Sequence, residues 1–355
     1  MKVNFKSKLL CVLLALIMIA ALALPAFAAP TLPPQARAAH LQLPGQFTGD
    51  AAYEHIRYLS VEIGPRVAST EAEEEAADYV FEQFEAMGYE PWVQPFTYVR
   101  RGVSYDSQNI IAVKPGRSNA TVILGAHYDS VRWGTGANDN ASGVGVMLEA
   151  ASLLKDYPTH ANIVFIAFGA EEVGLHGSRY YVSTLTENEI ANAIAMVNLD
   201  MVGGYGDYLY VYAALNGPTW VRDMALNIGQ NQGIDLRSSI GLYWDGFTGD
   251  WSDHVPFRNA GIPVAYFEHW NWEYDPTDSW GIENAERFDE FGDHYHTEND
   301  TFEWINKERV SYVGKVVAPL VYELAKTPLP NMDSKGVGRR TQRYVAVDAP
   351  VEMVR

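Results

Sequence analysis

Five short segments of the chain carry histidine and carboxylate side chains of the kind that bind metal ions. They are GAHYDS with His127 and Asp129, GANDNASG with Asp139, FGAEEVG with Glu171 and Glu172, VNLDMV with Asp200, and YHTEND with His296. Two imidazoles and four or five carboxylates are the nitrogen and oxygen ligands that hydrolytic zinc favours in catalytic sites. Two neighbouring metals need one bridging carboxylate and roughly two further protein ligands each. The segments supply enough ligands for a two-metal hydrolytic centre.

These segments end predicted strands or follow them directly. The runs TVILGAH, NIVFIAF and AIAMVNLDMV are nearly continuous and apolar, which is typical of buried strands, and helical patterns alternate with them near residues 143–154 and 175–185. Further strands are predicted at PWVQPFTYV, NIIAVKP, YLYVYAA and IPVAYFE. The pattern indicates an α/β layered domain, in which ligand sites lie at the carboxyl ends of the strands.

Helical periodicity also marks the two ends of this domain. Near the start, Thr70 and Glu73 have the spacing of a capping box, and the apolar residues that follow predict core contacts. One helix is expected from Trp220 to about Ile228, and a long amphipathic helix with a valine and leucine face is expected around residues 310–324. None of these helices is expected to carry chemistry.

Composition and charge exclude several classes of partner. The 355 residues include 26 Lys and Arg against 44 Asp and Glu. If the first 28 residues are removed, three lysines go with them and 23 basic side chains face 44 acidic ones, a net charge of −21. Such a charge argues against nucleic acid and anionic lipid as partners. The single cysteine, Cys11, lies in the same leader, so disulfides, thiolate ligands and a cysteine nucleophile are excluded from the mature chain.

The first 28 residues have the pattern of a secretory signal peptide. Three lysines precede the apolar run LLCVLLALIMIAALAL, and Ala26, Phe27 and Ala28 form a small-x-small cleavage site. An uncleaved anchor is the alternative, but the apolar run is short for a membrane span. We therefore expect export, cleavage near Ala28 and no stable membrane anchor afterwards. Residues 29–48 are predicted to be a linker, residues 49–327 the catalytic domain and residues 328–355 a mobile tail.

The ordered motifs resemble those of the secreted di-zinc aminopeptidases of metallopeptidase family twenty-eight, which also includes aminopeptidase Y, glutaminyl cyclases and glutamate carboxypeptidase II. The resemblance extends from about residue 50 to residue 326 and rests on HYDS, GANDNASGV, AFGAEEVGLHGS, NLDMVG, SDHVPFRNAGIP and YHTENDT. It implies a three-layer α/β/α sandwich around a mixed, mostly parallel sheet, the phosphorylase/hydrolase-like fold of zinc peptidases. The protease-associated domain that larger relatives insert is absent from the corresponding position.

The resemblance also implies a set of metal ligands. His127 and Asp200 would hold one zinc, Glu172 and His296 the other, and Asp139 would bridge both. Glu171 would be the general base, because it keeps a free carboxylate beside its ligand neighbour. Two Zn²⁺ per chain is therefore the expected cofactor content.

Other residues near these motifs have expected supporting roles. Tyr295 matches a tyrosine that can hydrogen-bond the tetrahedral oxyanion in relatives. Asp129 and Asp300 are candidates to accept the second imidazole N–H of His127 and His296, respectively. Asp253, in the motif SDHVPF, matches a position near the substrate pocket. The alternative for Asp129 and Asp300 is that they are solvated aspartates at strand ends with no supporting role.

A long loop with three tryptophans precedes the last histidine motif. We hypothesise that Trp270, Trp272 and Trp280 wall the substrate pocket, although packing of a surface loop is an equal alternative. Four histidines outside the matched motifs are interpreted as core or surface residues, namely His176, His254, His269 and His294. Ser130 and Ser142 lack a paired base, which argues against a serine hydrolase.

The resulting hypothesis is a secreted metallo-aminopeptidase that acts on peptides with a free N-terminus. The same fold also carries glutaminyl cyclase and carboxypeptidase activities, which remain alternatives. A related metallopeptidase family with a separate lid domain places its bridging aspartate in a different motif. A further alternative is a receptor-like domain with no catalytic activity. A suitable residue occupies every ligand position of the motifs, which argues against this alternative.

Overall fold

A computed structural model describes residues 46–204, 208–238, 246–270 and 294–326. They all lie in the larger of two units of the chain, Gln42–Arg355, whereas the smaller unit, Met1–Leu41, is outside the described residues. The described residues also exclude the predicted signal peptide, the predicted tail, Trp272 and Trp280.

The described residues form nine strands, whose apolar or alternating sequences predicted all but the two shortest. They are β1 Trp92–Arg100, β2 Val103–Lys114, β3 Thr121–His127, β4 Asn162–Phe168, β5 Ala193–Leu199, β6 Tyr208–Ala214, β7 Leu236–Arg237, β8 Phe247–Thr248 and β9 Val264–Trp270. The sheet has the order β1-β2-β4-β3-β5-β9-β6-β7, and β8 pairs with β6. The predicted α/β domain is confirmed.

The middle of this sheet is parallel. β4, β3, β5 and β9 run in one direction, while β1 with β2, β2 with β4 and β6 with β9 pair antiparallel. The central strands β3 and β5 are buried on both faces, which explains their continuous apolar sequences. Their carboxyl ends meet at one edge of the sheet, and this edge positions the candidate site.

Helices cover both faces of the sheet. They are α1 Asp50–Arg57, α2 Glu71–Ala86, α3 Ser142–Leu154, α4 His176–Thr184, α5 Glu187–Asn192, α6 Trp220–Gln232, α7 His254–Asn259 and α8 Lys307–Lys326. One apolar core joins the sheet to α1, α2, α3, α6 and α8. A second core on the opposite face includes Tyr181 of α4 and Phe257 of α7. The three-layer α/β/α arrangement is therefore confirmed.

The capping box predicted at the start of α2 is wrong. The Thr70 hydroxyl donates to the carbonyl of Val67 and caps no helical N–H, and the Glu73 carboxylate instead bonds to Ser107 and Ala170. Thr186 and Glu189 form a reciprocal capping box at α5, where the same sequence spacing occurs.

The start of the domain is held by a buried carboxylate. Glu149 of α3 accepts the backbone N–H groups of Thr48, Gly49 and Ala52, and Phe47 is buried in the core. Packing thus reaches the last residues of the segment predicted to be a linker. Within the described part of the chain, no helix combines the length and apolar character needed to cross a membrane.

Candidate metal centre

The candidate ligands gather at the carboxyl ends of three adjacent parallel strands. β3 ends at His127, β4 is followed by Glu171 and Glu172, and β5 is followed directly by Asp200. β3 lies between β4 and β5 in the sheet, so the three chain segments leave the sheet side by side. Motifs that are far apart in the chain therefore lie together in one cluster.

Asp139 lies at the centre of this cluster and faces both histidines. Its Oδ1 is 3.3 Å from Nε2 of His127, and its Oδ2 is 3.2 Å from Nε2 of His296. A second carboxylate stands beside each imidazole: Asp200 Oδ1 is 3.3 Å from His127 Nε2, and Glu172 Oε2 is 2.9 Å from His296 Nε2. The five side chains therefore form two ligand groups that share one carboxylate.

These separations fit zinc. Two ligand atoms on one tetrahedral zinc, each at roughly 2.0–2.2 Å from the ion, stand about 3.3 Å apart. The nitrogen and oxygen atoms of the cluster have this spacing. Donor atoms of His127, Glu171 and Asp200 also lie within 4.8 Å of one another. The same holds for donor atoms of His127, Asp139 and Glu172. The donor set and its spacing match a catalytic zinc centre.

The cluster collects buried negative charge. Burial raises the pKa of Glu172 to about 7, and the charge of Asp139 adds to that rise. Burial alone would raise the pKa of Asp139, but hydrogen bonds from both histidines hold it below its usual range. Burial opposes protonation of His296, yet Asp139 and Glu172 raise its pKa to about 10. Bound divalent cations would supply the positive charge that these protons supply here.

The turn that carries Glu171 and Glu172 is held by two other buried carboxylates. Three consecutive backbone N–H groups donate to them: Ala170 to Glu73 Oε1 at 3.0 Å, Glu171 to Asp129 Oδ1 at 3.0 Å, and Glu172 to Asp129 Oδ2 at 3.2 Å. Ala170 has a φ of 53°, a left-handed conformation that a non-glycine residue adopts only where its surroundings fix it. The contacts with Glu73 and Asp129 fix this turn.

Asp129 and Asp300 are placed beside the cluster but bond differently from the expectation. Asp129 Oδ1 is 3.5 Å from Nδ1 of His127, and the Asp129 carbonyl oxygen is closer to that nitrogen at 3.2 Å. Asp300 makes no contact with the imidazole of His296; its two oxygens accept the N–H groups of Asn138 and Asp139 at 2.7 and 3.1 Å. Both aspartates hold the backbone of ligand-bearing turns.

Glu171 and Tyr295 lie beside different histidines of the ligand groups. Glu171 is buried near His127 and Asp200, and burial raises its pKa well above the usual value. The ring of Tyr295 is 43% exposed and stacks on the imidazole of His296, with centroids 3.7 Å apart. Desolvation and the charge of Asp139 raise the pKa of the Tyr295 phenol, which keeps its proton at neutral pH.

Asp253 is fully buried at the residue before α7. Neither of its carboxylate oxygens accepts a hydrogen bond from the described residues. Burial raises its pKa to about 7, and the charges of Asp129 and Asp200 contribute to that shift. Asp253 thus belongs to the electrostatic surroundings of the cluster. Of the three tryptophans predicted to wall a pocket, only the backbone of Trp270 is described, at the end of β9.

The histidines outside the motifs take structural positions. His254 and His269 are buried, and each bonds through one ring nitrogen to a backbone carbonyl, that of Gly249 or Val202. The ring of His176 stacks on Tyr98 at 4.2 Å. His294 stacks on Trp304. None of these four is in the ligand groups formed by the described residues.

Two buried charged residues near the cluster escaped the sequence analysis. Arg66 precedes α2 and donates to the carbonyls of Tyr128, Thr135 and Gly136, while Glu73 holds the turn after β4. Both lie well before the first metal-binding motif in the chain. The sequence gives no local signal for Arg66, and the spacing of Glu73 from Thr70 indicated a helix cap instead.

Comparison with known proteins identifies the family of this chain. The model of peptidase family M28 matches residues 109–321. Aminopeptidase YwaD of Bacillus subtilis is 40% identical over 226 residues, which are 62% of this chain and 45% of YwaD, so the chain spans about half the length of that curated relative.

Solved structures extend the comparison. BSAP, a zinc aminopeptidase from Bacillus subtilis, superposes with a TM-score of 0.68 at 26% identity over 81% of this chain and 97% of BSAP. A Porphyromonas gingivalis glutaminyl cyclase superposes with a TM-score of 0.63 at 26% identity over 78% of this chain and 98% of the cyclase.

Proposed function

Because the chain belongs to peptidase family M28, we propose that it is a zinc-dependent aminopeptidase that hydrolyses the N-terminal peptide bond of peptides with a free α-amine. The observation that carries the proposal is the position of Asp139, whose two oxygens face His127 and His296 at 3.3 and 3.2 Å. One carboxylate between two imidazoles is the arrangement that a metal pair needs. The similarity to BSAP, a zinc aminopeptidase, supports the same conclusion.

Two zinc ions would have separate ligands in this centre. His127 and Asp200 would hold one ion, Glu172 and His296 the other, and Asp139 would bridge them. The assignment follows the observed contacts, since each imidazole already has its own second carboxylate. When bound, the zinc pair supplies Lewis acidity that makes a water acidic near neutral pH and polarises a carbonyl.

Glu171 would move the proton. Its carboxylate lies near His127 and Asp200, and it would be available as a base because Asp139, Asp200 and Glu172 are the carboxylates proposed as ligands. In the proposed reaction a Glu171 oxygen accepts a proton from the attacking water and returns it to the leaving amine. Tyr295, which keeps its phenolic proton, would donate a hydrogen bond to the tetrahedral oxyanion.

Recognition of the substrate would use the acidic character of the chain. Two Zn²⁺ would balance the four carboxylates of Glu171, Glu172, Asp200 and Asp139, but the whole chain has a formal net charge of −18. A protonated α-amine is attracted to such a chain, whereas an acylated amine carries no charge. The proposed substrates are therefore peptides with an unblocked N-terminus.

The test compares aminoacyl-p-nitroanilides with their N-acetylated forms. Zinc-loaded protein should cleave only the free-amine compounds, and chelation or Glu171→Gln should abolish cleavage. Glu90→Gln is the matched control, because Glu90 is exposed in the turn before β1 and should leave the activity unchanged. Equal cleavage of the acetylated compounds would contradict the aminopeptidase proposal.

Glutaminyl cyclase activity is the second candidate, favoured by the structural similarity to the Porphyromonas gingivalis enzyme. A peptide with N-terminal glutamine separates the two activities. Hydrolysis releases free glutamine, whereas cyclisation releases ammonia and leaves the peptide blocked. Ammonia release without free glutamine, and no cleavage of any other free-amine compound, would replace the first proposal with the second.

We also propose that the protein is exported and processed. The support is the basic start, apolar run and Ala26-Phe27-Ala28 site of the first 28 residues. N-terminal sequencing of protein from the culture medium should give a chain that begins at or near Ala29. Full-length protein that remains in the cytoplasm would contradict this proposal.

A further inference from the structure

Arg66 places a buried positive charge beneath the candidate metal centre. It lies between the π-helical segment Tyr58–Ile63 and α2, and none of its surface is exposed. Its position in the chain is 61 residues before His127 and outside the residues 109–321 that the family model matches. A buried arginine is costly unless its N–H groups are bonded, so its partners indicate what the residue does.

All five hydrogen bonds of the guanidinium go to backbone carbonyls. Nε donates to Tyr128 at 2.7 Å, and Nη2 donates to Gly136 at 2.7 Å. Nη1 donates to Thr135 at 2.8 Å and, on its other side, to Gly64 and Leu59 at 2.8 and 3.0 Å. One planar group therefore joins three separate stretches of backbone.

Two of these stretches carry metal-ligand candidates. Tyr128 directly follows His127, and Gly136 lies three residues before Asp139. The main chain of Arg66 strengthens the first connection, because its N–H donates to the Ser130 hydroxyl and its carbonyl accepts the Ser130 N–H. Arg66 thus sets the separation between the segment of His127 and the segment of Asp139.

The loop around Gly136 is closely fitted to the guanidinium. Gly136 has a φ of 60°, and a Cβ atom there would lie 2.8 Å from Nη2 of Arg66 and 2.4 Å from the Cβ of Ser130. Only arginine supplies five N–H donors in a rigid plane, and a lysine ammonium has three donors at a single point. The observed set of carbonyl contacts is therefore specific to arginine.

The partners of Arg66 also leave the carboxylates of the centre available. Among the described residues it forms no ion pair within 4.0 Å, although Asp300, Asp129 and Asp139 are near enough to influence its charge. An ion pair with Asp139 would occupy oxygens that the proposed metals need. Binding to carbonyls holds the loops in place without that competition.

We propose that Arg66 is a positioning residue for the metal centre, which keeps Asp139 Oδ1 in reach of the metal held by His127. The inference rests on the proposed two-metal centre. Arg66 touches neither substrate nor metal and acts through the backbone of Tyr128, Thr135 and Gly136. Replacement of Arg66 should therefore lower zinc affinity by more than the accompanying loss of folding stability explains.

The experiment compares Arg66→Met and Arg66→Lys with Lys114→Met. Lys114 is also a buried cation, 4% exposed, and it bonds to Thr159 at the opposite edge of the sheet. Zinc affinity of each purified chain is measured by competition with a chelator, together with the thermal unfolding midpoint. Amide hydrogen exchange of residues 128–139 is measured in metal-free protein.

Both Arg66 variants should bind zinc at least about tenfold more weakly than the wild type and exchange faster in residues 128–139. Lys114→Met should lose stability but keep wild-type zinc affinity and exchange in that segment. The inference would be overturned if the Arg66 variants bound zinc as tightly as Lys114→Met, or more tightly than the wild type. Arg66→Lys, which retains the charge, decides the question if Arg66→Met does not fold.

This outcome is separable from that of the proposed function. Zinc affinity and hydrogen exchange are measured without any peptide substrate. A protein that binds zinc and cleaves no aminoacyl compound would contradict the aminopeptidase proposal and leave the role of Arg66 intact.

Discussion

The carboxylate of Asp300 accepts the backbone N–H of Asp139 at 3.1 Å, and its other oxygen accepts the N–H of Asn138 at 2.7 Å. Asp300 belongs to the segment that carries His296, four residues before it. The loop that supplies one proposed ligand therefore also holds the bridging carboxylate. The backbone of the same loop contacts Thr135, whose N–H donates to the Asp300 carbonyl at 2.8 Å.

Asp300→Asn tests this relationship. Asparagine has one acceptor oxygen, so its amide would face one of the two backbone N–H groups that Asp300 now satisfies. We expect zinc affinity to fall roughly ten- to hundredfold while the chain remains folded. Glu298→Gln, at an exposed position in the same loop, should bind zinc like the wild type. Equal chelator competition curves for both variants would show that Asp300 does not support the centre.

Substitution of the ligands should separate the bridging position from a terminal one. In Asp139→Ala both proposed ions lose an oxygen ligand, because each Asp139 oxygen faces a different histidine. In Glu172→Ala only the ion beside His296 loses one. Zinc titration should therefore give fewer than about one tight equivalent for Asp139→Ala and about one for Glu172→Ala. Identical stoichiometry for the two variants would contradict the bridging assignment.

The side chains of His127, Glu171, Glu172 and Asp200 could be predicted to lie together because they end buried strands or closely follow them. The apolar runs that precede His127, Glu171 and Asp200 are long and uninterrupted, and parallel strands bring their carboxyl ends together. The position of these motifs at strand ends therefore predicted that their side chains lie close together. Asp139 and His296 do not directly follow such strands, and their roles as ligands were implied by the family resemblance.

Two residues that support the cluster, Glu73 and Arg66, could not be predicted in this way. Thr70 and Glu73 have the same spacing as Thr186 and Glu189, yet only the second pair forms a capping box. The difference is tertiary: Glu73 faces the turn after β4, and its carboxylate bonds to Ala170 in place of its own helix. A local pattern cannot distinguish the two cases. Arg66 similarly bonds only to carbonyls, which any sequence supplies.

Glu73→Gln tests the support of the catalytic turn. Glu73 accepts the Ser107 hydroxyl and the Ala170 N–H with Oε1 and the Ser69 N–H with Oε2, so a glutamine amide would oppose a backbone N–H in either orientation. We expect kcat to fall roughly ten- to hundredfold with little change in KM, because Glu171 moves relative to the substrate. The free energy of unfolding should fall by about 1–3 kcal/mol.

Glu74→Gln provides the control for this change. Glu74 is the next residue of α2, is exposed and should leave both kinetic constants and stability near their wild-type values. Steady-state kinetics and urea unfolding are measured on the three proteins in parallel. If Glu73→Gln loses stability but keeps its kcat, the contact with Ala170 contributes to folding and does not position Glu171.

The buried His254 should make the protein less stable in mild acid. Burial lowers its pKa from 6.5 to about 4, although the hydrogen bond from Nε2 to the Gly249 carbonyl opposes the shift. Its other ring nitrogen, Nδ1, has no partner among the described residues. As the pH falls through 6.5 towards 4, the unfolded chain takes up a proton that the folded chain does not, and stability is lost.

The expected loss from this histidine is about 2 kcal/mol between roughly pH 7.5 and pH 5. His254→Gln removes the titrating group and keeps a side-chain N–H near the position of Nε2 that can donate to Gly249. Urea unfolding of metal-free protein at the two pH values gives the stability difference between wild type and variant. That difference should change by about 2 kcal/mol in favour of the variant at the lower pH. A difference that is constant with pH would show that His254 titrates alike in the folded and unfolded chains.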